Sequence, residues 1–123
     1  MNNGILKDLS ALKKATNYSL SGLVSAWKNE SAFRTECILT IIMIPAGLWI
    51  GNSLIQKLLL VISCLAVLTV ELLNSAIEAI VDRIGREFDP LSKRAKDMGS
   101  AAVFLSLTIT LIIWLAVIIG NRL

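Results

Sequence analysis

Four polar side chains recur on one face of a predicted helix within an otherwise apolar part of the sequence. Glu71, Asn74, Glu78 and Asp82 follow one another at helical spacing, which places them within an arc of about 80° at ~100° per residue. Glu71 lies within or at the edge of the predicted hydrocarbon region, where an ionised carboxylate costs roughly 3 kcal/mol to insert. One salt bridge would not need four polar residues in register, so this acidic stripe predicts a functional site.

Two further sets of polar residues stand at the same predicted depth. Glu30 and Arg34 are one helical turn apart, and such a pair taken alone is typical of a surface ion pair. Lys96, Asp97 and Ser100 open the last apolar helix, with Lys96 and Ser100 on a shared face. Carboxylates and lysines gathered in this way suit a divalent cation held by oxygen ligands, with lysines on phosphate groups.

Several other chemistries are excluded by the residues that the sequence lacks. There is no histidine, which removes histidine-based metal sites and general bases. Neither a GxxxxGK[ST] loop nor a GxGxxG motif is found, so phosphate binding would have to come from side chains. Cys37 and Cys64 lie within apolar runs and are interpreted as small buried hydrophobic residues rather than a disulfide framework.

The elements that must position these residues are long apolar helices. Of the 123 residues, 55% are hydrophobic, and they are concentrated in runs long enough to cross a bilayer. We predict one all-α membrane domain over residues 1–123, with a surface helix and three helices containing the spans; their ranges are 4–28, 31–50, 54–86 and 92–120.

The first of these helices is predicted to be amphipathic. Its apolar residues from Ile5 to Trp27 recur at steps of three and four, as on one helical face. Such a face suits the membrane interface, and packing against protein is the alternative. Weak helix formers at 17–22 predict a bend or break midway, and Ser92 is the predicted N-cap of the last helix.

The distribution of Lys and Arg predicts the orientation. Five lie in residues 7–34 and five in residues 83–96, whereas the first loop carries only Lys57 and the C-terminal end only Arg122. By the positive-inside rule, the N-terminus and the second loop are cytoplasmic and the C-terminus is outside. No cleavable signal peptide is visible, and a chain with so few spans is expected to form a homo-oligomer.

Three stretches carry a family resemblance. ELLNSAIEAIVDR at 71–83, RAKDMGSA at 94–101 and AWKNESAFR at 26–34 resemble the small integral-membrane diacylglycerol kinase of bacteria, and the similarity covers nearly the whole chain. The resemblance implies a homotrimer in the bacterial inner membrane with active sites shared between subunits at the cytoplasmic interface. It also implies transfer of the γ-phosphoryl group of Mg-ATP to diacylglycerol, giving phosphatidic acid, with Mg²⁺ as cofactor and no nucleic-acid partner.

The resemblance also implies roles for individual residues. Glu71 would be the catalytic base at the lipid hydroxyl, and Glu30 and Glu78 would hold the metal. The implied contacts to ATP and its phosphates are Lys14, Tyr18, Glu30, Asn74, Glu78, Glu87, Lys96 and Asp97. The implied contacts to the lipid substrate are Glu71, Ser100, Arg34 and Asn74. Ala11 stands where relatives often have Arg, and Asp89 where they often have His.

Three other functions are open to this sequence. One is the same fold acting on undecaprenol, against which the run 96–100 favours diacylglycerol. Another is a small cation-coupled transporter subunit that uses Glu71 as its ion site, which leaves Glu30, Lys96 and Asp97 without a role. The third is a non-enzymatic assembly subunit, in which the acidic stripe would have no function.

Overall fold

The computed structural model describes residues 2–123, and the side chains from residue 3 onward. It contains four helices: α1 (Asn2–Asn29), α2 (Ser31–Ile50), α3 (Leu54–Ile84) and α4 (Pro90–Arg122). No strand occurs within residues 2–123. Three of the helices, α2, α3 and α4, are long and apolar enough to cross a membrane. The predicted all-α architecture with three potential spans is therefore confirmed.

The first helix is continuous from Asn2 to Asn29, so of the bend or break predicted at 17–22, the break is not found. Its hydroxyl side chains bond back to their own helix: Thr16 donates to the Leu12 carbonyl oxygen at 2.9 Å and Ser19 to that of Ala15 at 3.0 Å. These bonds satisfy the hydroxyl groups within the helix itself, so neither side chain competes for the backbone N–H groups. The chain turns instead at Glu30, whose extended backbone separates α1 from α2.

The last helix begins at Pro90, which corrects the predicted N-cap. Asp89 caps α4 by accepting a hydrogen bond at Oδ1 from the Ser92 backbone N–H over 2.9 Å. Proline suits the first helical position because its missing N–H would have had no partner there. Ser92 is therefore the residue that donates to the cap, and the helix starts earlier than the predicted residue 92.

The central helix of the bundle is α3, which packs between α2 and α4 and contacts α1 more weakly. Leu60, Cys64, Trp114 and Val117 form the buried apolar core. Gly47 of α2 fits closely here, because a Cβ at this position would lie 3.0 Å from the Cβ of Leu60. The close approach of α2 to α3 therefore depends on a residue without a side chain.

Polar side chains join α3 to α4 at the middle of the bundle. Trp114 Nε1 donates to Ser63 Oγ over 3.2 Å, and Thr110 Oγ1 donates to the Ser63 carbonyl oxygen, also over 3.2 Å. All three residues are buried. These bonds fix the register of the two helices where no water competes.

A second polar group joins three helices at the end of the bundle opposite the acidic stripe. Gln56 Nε2 donates to Asn121 Oδ1 over 2.9 Å, and Asn121 Nδ2 donates to the Ile50 carbonyl oxygen over 3.1 Å. Gln56 Oε1 also accepts from the Asn52 backbone N–H at 2.8 Å. The ends of α2 and α4 and the start of α3 are thus held together by amide side chains.

Much apolar surface remains uncovered in the single chain. Large side chains on every span are exposed, among them Ile41 at 69%, Phe104 at 68% and Trp49 at 87%. Exposed apolar faces of this extent need lipid or another protein subunit against them.

Candidate active site

The acidic stripe lies on the second half of α3, as predicted from its spacing. Glu71 is only 6% exposed even in the single chain. The carboxylates of Glu36, Glu78 and Glu30 lie close enough for their charges to act on it. A buried acid on which three other carboxylates act is costly to keep in its ionised form.

Asn74 lies between Glu71 and Glu78 along α3, and its side chain contacts Glu78 of the same helix and Gly99 of α4. Its Nδ2 donates to Glu78 Oε1 at 3.5 Å, the outer limit of a hydrogen bond. Its Oδ1 is fully enclosed and has no hydrogen-bond partner among the described residues. That oxygen packs against the buried Gly99 of α4.

Lys96 reaches the far end of the stripe from α4. Its Nζ lies 2.7 Å from Asp82 Oδ1, with the two side chains 43% and 55% exposed. Asp97 points elsewhere and pairs with Lys93 at 2.5 Å, one turn earlier on the same helix. One lysine is therefore brought to the acidic stripe, while Asp97 is engaged along α4.

Glu30 lies at the entrance to a groove between α1 and α3. The groove has a volume of about 690 Å³, and its α3 wall is formed by Leu72 and by three small residues, Ser75, Ala76 and Ala79. The carboxylate of Glu30 does not cap α2. It therefore remains available to a ligand beside the acidic stripe.

The structure gives Arg34 a contact that the sequence did not indicate. Its Nη1 donates to the carbonyl oxygens of Trp27 at 2.8 Å and Lys28 at 3.1 Å. These carbonyls belong to the last turn of α1, where they have no partner within the helix. Arg34 thus fixes the corner between α1 and α2 and in this way helps to place Glu30.

Besides Arg34 and Asp97, four more of the predicted site residues are not joined to the stripe by a hydrogen bond or ion pair among the described residues of one chain. Lys14 and Tyr18 are exposed on α1, with Tyr18 at 75%, and Ser100 is exposed on α4. Glu87, in the segment between α3 and α4, lines a second groove of about 490 Å³ together with Lys96 and Asp97. A single chain therefore contains only part of the predicted constellation.

Glu36 was not among the predicted site residues. It lies inside the α2 span and lines an apolar cavity of about 240 Å³ together with Met43, Cys64 and Trp114. The same signal that identified Glu71, a carboxylate within an apolar run, was available for Glu36. Unlike Glu71, Glu36 has no ionisable residue three or four positions away along α2, so helical spacing does not mark it as part of a stripe.

The carboxylates of the site could hold a metal ion only as a small set of oxygen ligands. Within residues 2–123 there is no group of three or more acidic, histidine or cysteine side chains that could hold one. Mg²⁺ commonly binds through one or two carboxylates and completes its coordination with substrate phosphates and water. Glu30 and Glu78, whose charges both act on Glu71, are the two carboxylates available to meet this requirement.

Together, the fold and the site define a small all-helical membrane protein with a carboxylate and lysine site at one end of its bundle. Residues 17–118 match the family model of prokaryotic diacylglycerol kinase. The chain belongs to the prokaryotic diacylglycerol kinase family, which confirms the resemblance found in the sequence.

Individual relatives cover most of the chain. A diacylglycerol kinase from Haemophilus influenzae is 53% identical over 106 residues, which are 86% of this chain and 90% of the relative. A diacylglycerol kinase from Escherichia coli K12 is 48% identical over 101 residues, covering 82% of this chain and 83% of the relative. One from Helicobacter pylori is 43% identical over 108 residues, covering 88% and 84%.

Proposed function

We propose that this protein is a lipid kinase that transfers the γ-phosphoryl group of ATP to the primary hydroxyl of diacylglycerol, giving phosphatidic acid and ADP. The observation that carries the proposal is the enclosed carboxylate of Glu71 on a potential membrane span, in a chain of the prokaryotic diacylglycerol kinase family. Diacylglycerol is dissolved in the membrane, so its hydroxyl can reach an acid at this depth laterally.

The chemistry needs little beyond a base and charge neutralisation. Glu71 accepts the hydroxyl proton as the lipid oxygen forms a bond to the γ-phosphorus, and the bond from that phosphorus to the bridging oxygen of ADP breaks. The proton on Glu71 then passes to solvent. The Lys96 side chain is 43% exposed and, among the described residues, pairs only with Asp82, so its ammonium group can turn towards the phosphate oxygens.

Glu30 and Glu78 would hold the metal ion that accompanies ATP. When bound, Mg²⁺ supplies charge neutralisation at the phosphate oxygens. Support for this assignment comes from the Glu30 carboxylate, which no helix cap uses, and from its position beside the α3 stripe. Asn74 would hold the Glu78 carboxylate in place through its side-chain amide.

The complete site would be built from more than one chain. We place the protein in the bacterial inner membrane as a homotrimer with the site at the cytoplasmic face, the N-terminus cytoplasmic and the C-terminus outside. Exposed apolar faces on every span support the association. Lys14, Tyr18 and Ser100, which are exposed in one chain, would meet the stripe of a neighbour.

The same proposal places α1 on the membrane surface. On its apolar face, Ile5, Leu9 and Leu12 are 56% to 66% exposed in the single chain. Burying them in the headgroup region would stabilise the helix parallel to the membrane plane. It would also hold the α1–α3 groove at the depth where ATP from the cytoplasm meets the lipid.

Glu71→Gln tests the proposal, with Asp8→Asn as the control. Both substitutions remove one carboxylate charge, but Asp8 is exposed on α1, away from the stripe. Phosphoryl transfer to diacylglycerol from labelled ATP is measured in mixed micelles, alongside assembly in detergent. We expect Glu71→Gln to assemble but to lose transfer, and Asp8→Asn to retain it; near-full activity of Glu71→Gln would eliminate Glu71 as the base.

A further inference from the structure

Gly99 is the point of closest approach of α4 to the acidic stripe of α3. It is buried, and a Cβ built on it would overlap Asn74 Oδ1 and lie 3.3 Å from Asn74 Cγ. The nearest other atom is Ile77 Cδ1 at 3.8 Å. The space that a side chain would need at position 99 is therefore occupied by the Asn74 amide.

That contact fixes which way the Asn74 amide points. Its oxygen is enclosed against Gly99 and has no conventional hydrogen-bond donor within the described part of the chain, and its nitrogen faces Glu78 Oε1 at 3.5 Å. The Cα–H groups of a glycine are weak donors to an oxygen packed against them. The two ends of the amide are thus set by different partners, one on each helix.

We infer that Gly99 is a positioning residue for the active site. It acts through Asn74: the bare Cα of Gly99 lets the amide lie between the helices with its N–H groups turned towards the Glu78 carboxylate. Any side chain at position 99 would push the amide out of this gap and away from Glu78. The catalytic consequence rests on the proposed function, whereas the contact itself does not.

A matched control exists elsewhere in the bundle. Gly47 also sits at a close helix–helix contact, where an added Cβ would meet Leu60 Cβ at 3.0 Å and the Trp114 ring at 3.4 Å. Gly47→Ala and Gly99→Ala therefore insert the same methyl group into a packed interface. Only Gly99→Ala touches a side chain of the stripe.

The first measurement needs no enzyme activity. The Asn74 side-chain amide resonances are recorded by ¹H–¹⁵N NMR of the full-length protein in detergent micelles and assigned with an Asn74→Ala sample. We expect them to shift in Gly99→Ala and to stay unchanged in Gly47→Ala. Unchanged resonances in Gly99→Ala would overturn the inference, whatever reaction the protein catalyses.

The second measurement is a double-mutant cycle on turnover. A misplaced site group lowers kcat by ~10- to 100-fold, and this is the loss expected for Gly99→Ala in the diacylglycerol kinase assay. If Gly99 acts through Asn74, the double variant with Asn74→Ala will be no slower than Asn74→Ala alone. Costs that multiply would instead show that Gly99 acts independently of Asn74. If the unmodified protein phosphorylates no lipid, the proposed function is refuted, whereas the NMR result still tests the contact between Gly99 and Asn74.

Discussion

The hydrogen bond between Trp114 and Ser63 offers a quantitative test of how α3 and α4 are held together. Trp114 Nε1 donates to Ser63 Oγ at 3.2 Å, and the same hydroxyl donates to the Leu60 carbonyl oxygen at 2.9 Å. The two residues are 8% and 5% exposed. Ser63→Ala therefore leaves an indole N–H without its acceptor where water has little access.

The expected loss of stability in Ser63→Ala lies between two general magnitudes, one for proteins in water and one for helices in a membrane. A buried donor that loses its acceptor costs ~1–3 kcal/mol in proteins generally. Hydrogen bonds between helices within a membrane average only about 0.6 kcal/mol and reach about 1.7 kcal/mol, because the unfolded chain also finds partners. We expect Ser63→Ala to lower the free energy of unfolding by about 1 kcal/mol, with a coupling to Trp114→Phe of ~0.6 to 1.7 kcal/mol.

The assay is SDS titration of the purified protein in micelles, followed by circular dichroism. Ser106→Ala serves as the control, because the Ser106 hydroxyl donates only to the Val103 carbonyl oxygen of its own helix, at 2.7 Å. Its coupling to Trp114→Phe should be close to zero. A coupling between Ser63 and Trp114 that is equally small would refute the idea that this bond fixes the register of α3 and α4.

Three further predictions concern the metal, the start of α4 and the opposite end of the bundle. Glu30→Gln and Glu78→Gln should each raise the Mg²⁺ concentration needed for half-maximal kinase activity; an unchanged requirement in both would exclude them as metal ligands. Asp89→Ala should lower stability by ~1 kcal/mol through loss of the N-cap, and Asp89→Asn by less, as measured by thermal unfolding; equal stability of the two variants would contradict this role. Asn121→Ala removes two interhelical hydrogen bonds and should cost about 1–2 kcal/mol in an SDS titration, whereas an unaltered midpoint would show that this end is held by apolar packing alone.

The helices and the acidic stripe could be predicted from the sequence because both depend on local periodicity. Apolar runs long enough to cross a bilayer identify α2, α3 and α4. The spacing from Glu71 to Asp82 places the residues of the acidic stripe on one face, whatever surrounds the helix. Residue type alone does not identify the N-cap of α4, because Asp89 and Ser92 both belong to types that cap helices. The backbone geometry at the start of the helix decides which of the two residues is the N-cap, and the sequence pattern does not reveal that geometry.

Contacts between helices could not be predicted in the same way. Arg34 bonds to the end of α1 only because the chain turns at Glu30, and Asn74 meets Gly99 only in one register of α3 against α4. Helical periodicity shows which residues share a face but leaves open which face of a neighbouring helix they meet. The contacts of Lys14, Tyr18 and Ser100 could not be predicted for a related reason: these residues are exposed in one chain, and their partners would come from another subunit.

The central claim is that the protein phosphorylates diacylglycerol, and a two-lipid kinase assay tests it most directly. Purified protein in mixed micelles receives Mg-ATP labelled in the γ-phosphate, with either diacylglycerol or undecaprenol as the acceptor. The proposed function predicts labelled phosphatidic acid as the main product and much slower labelling of the polyprenol. Preferential labelling of undecaprenol, or transfer to neither lipid, would contradict it.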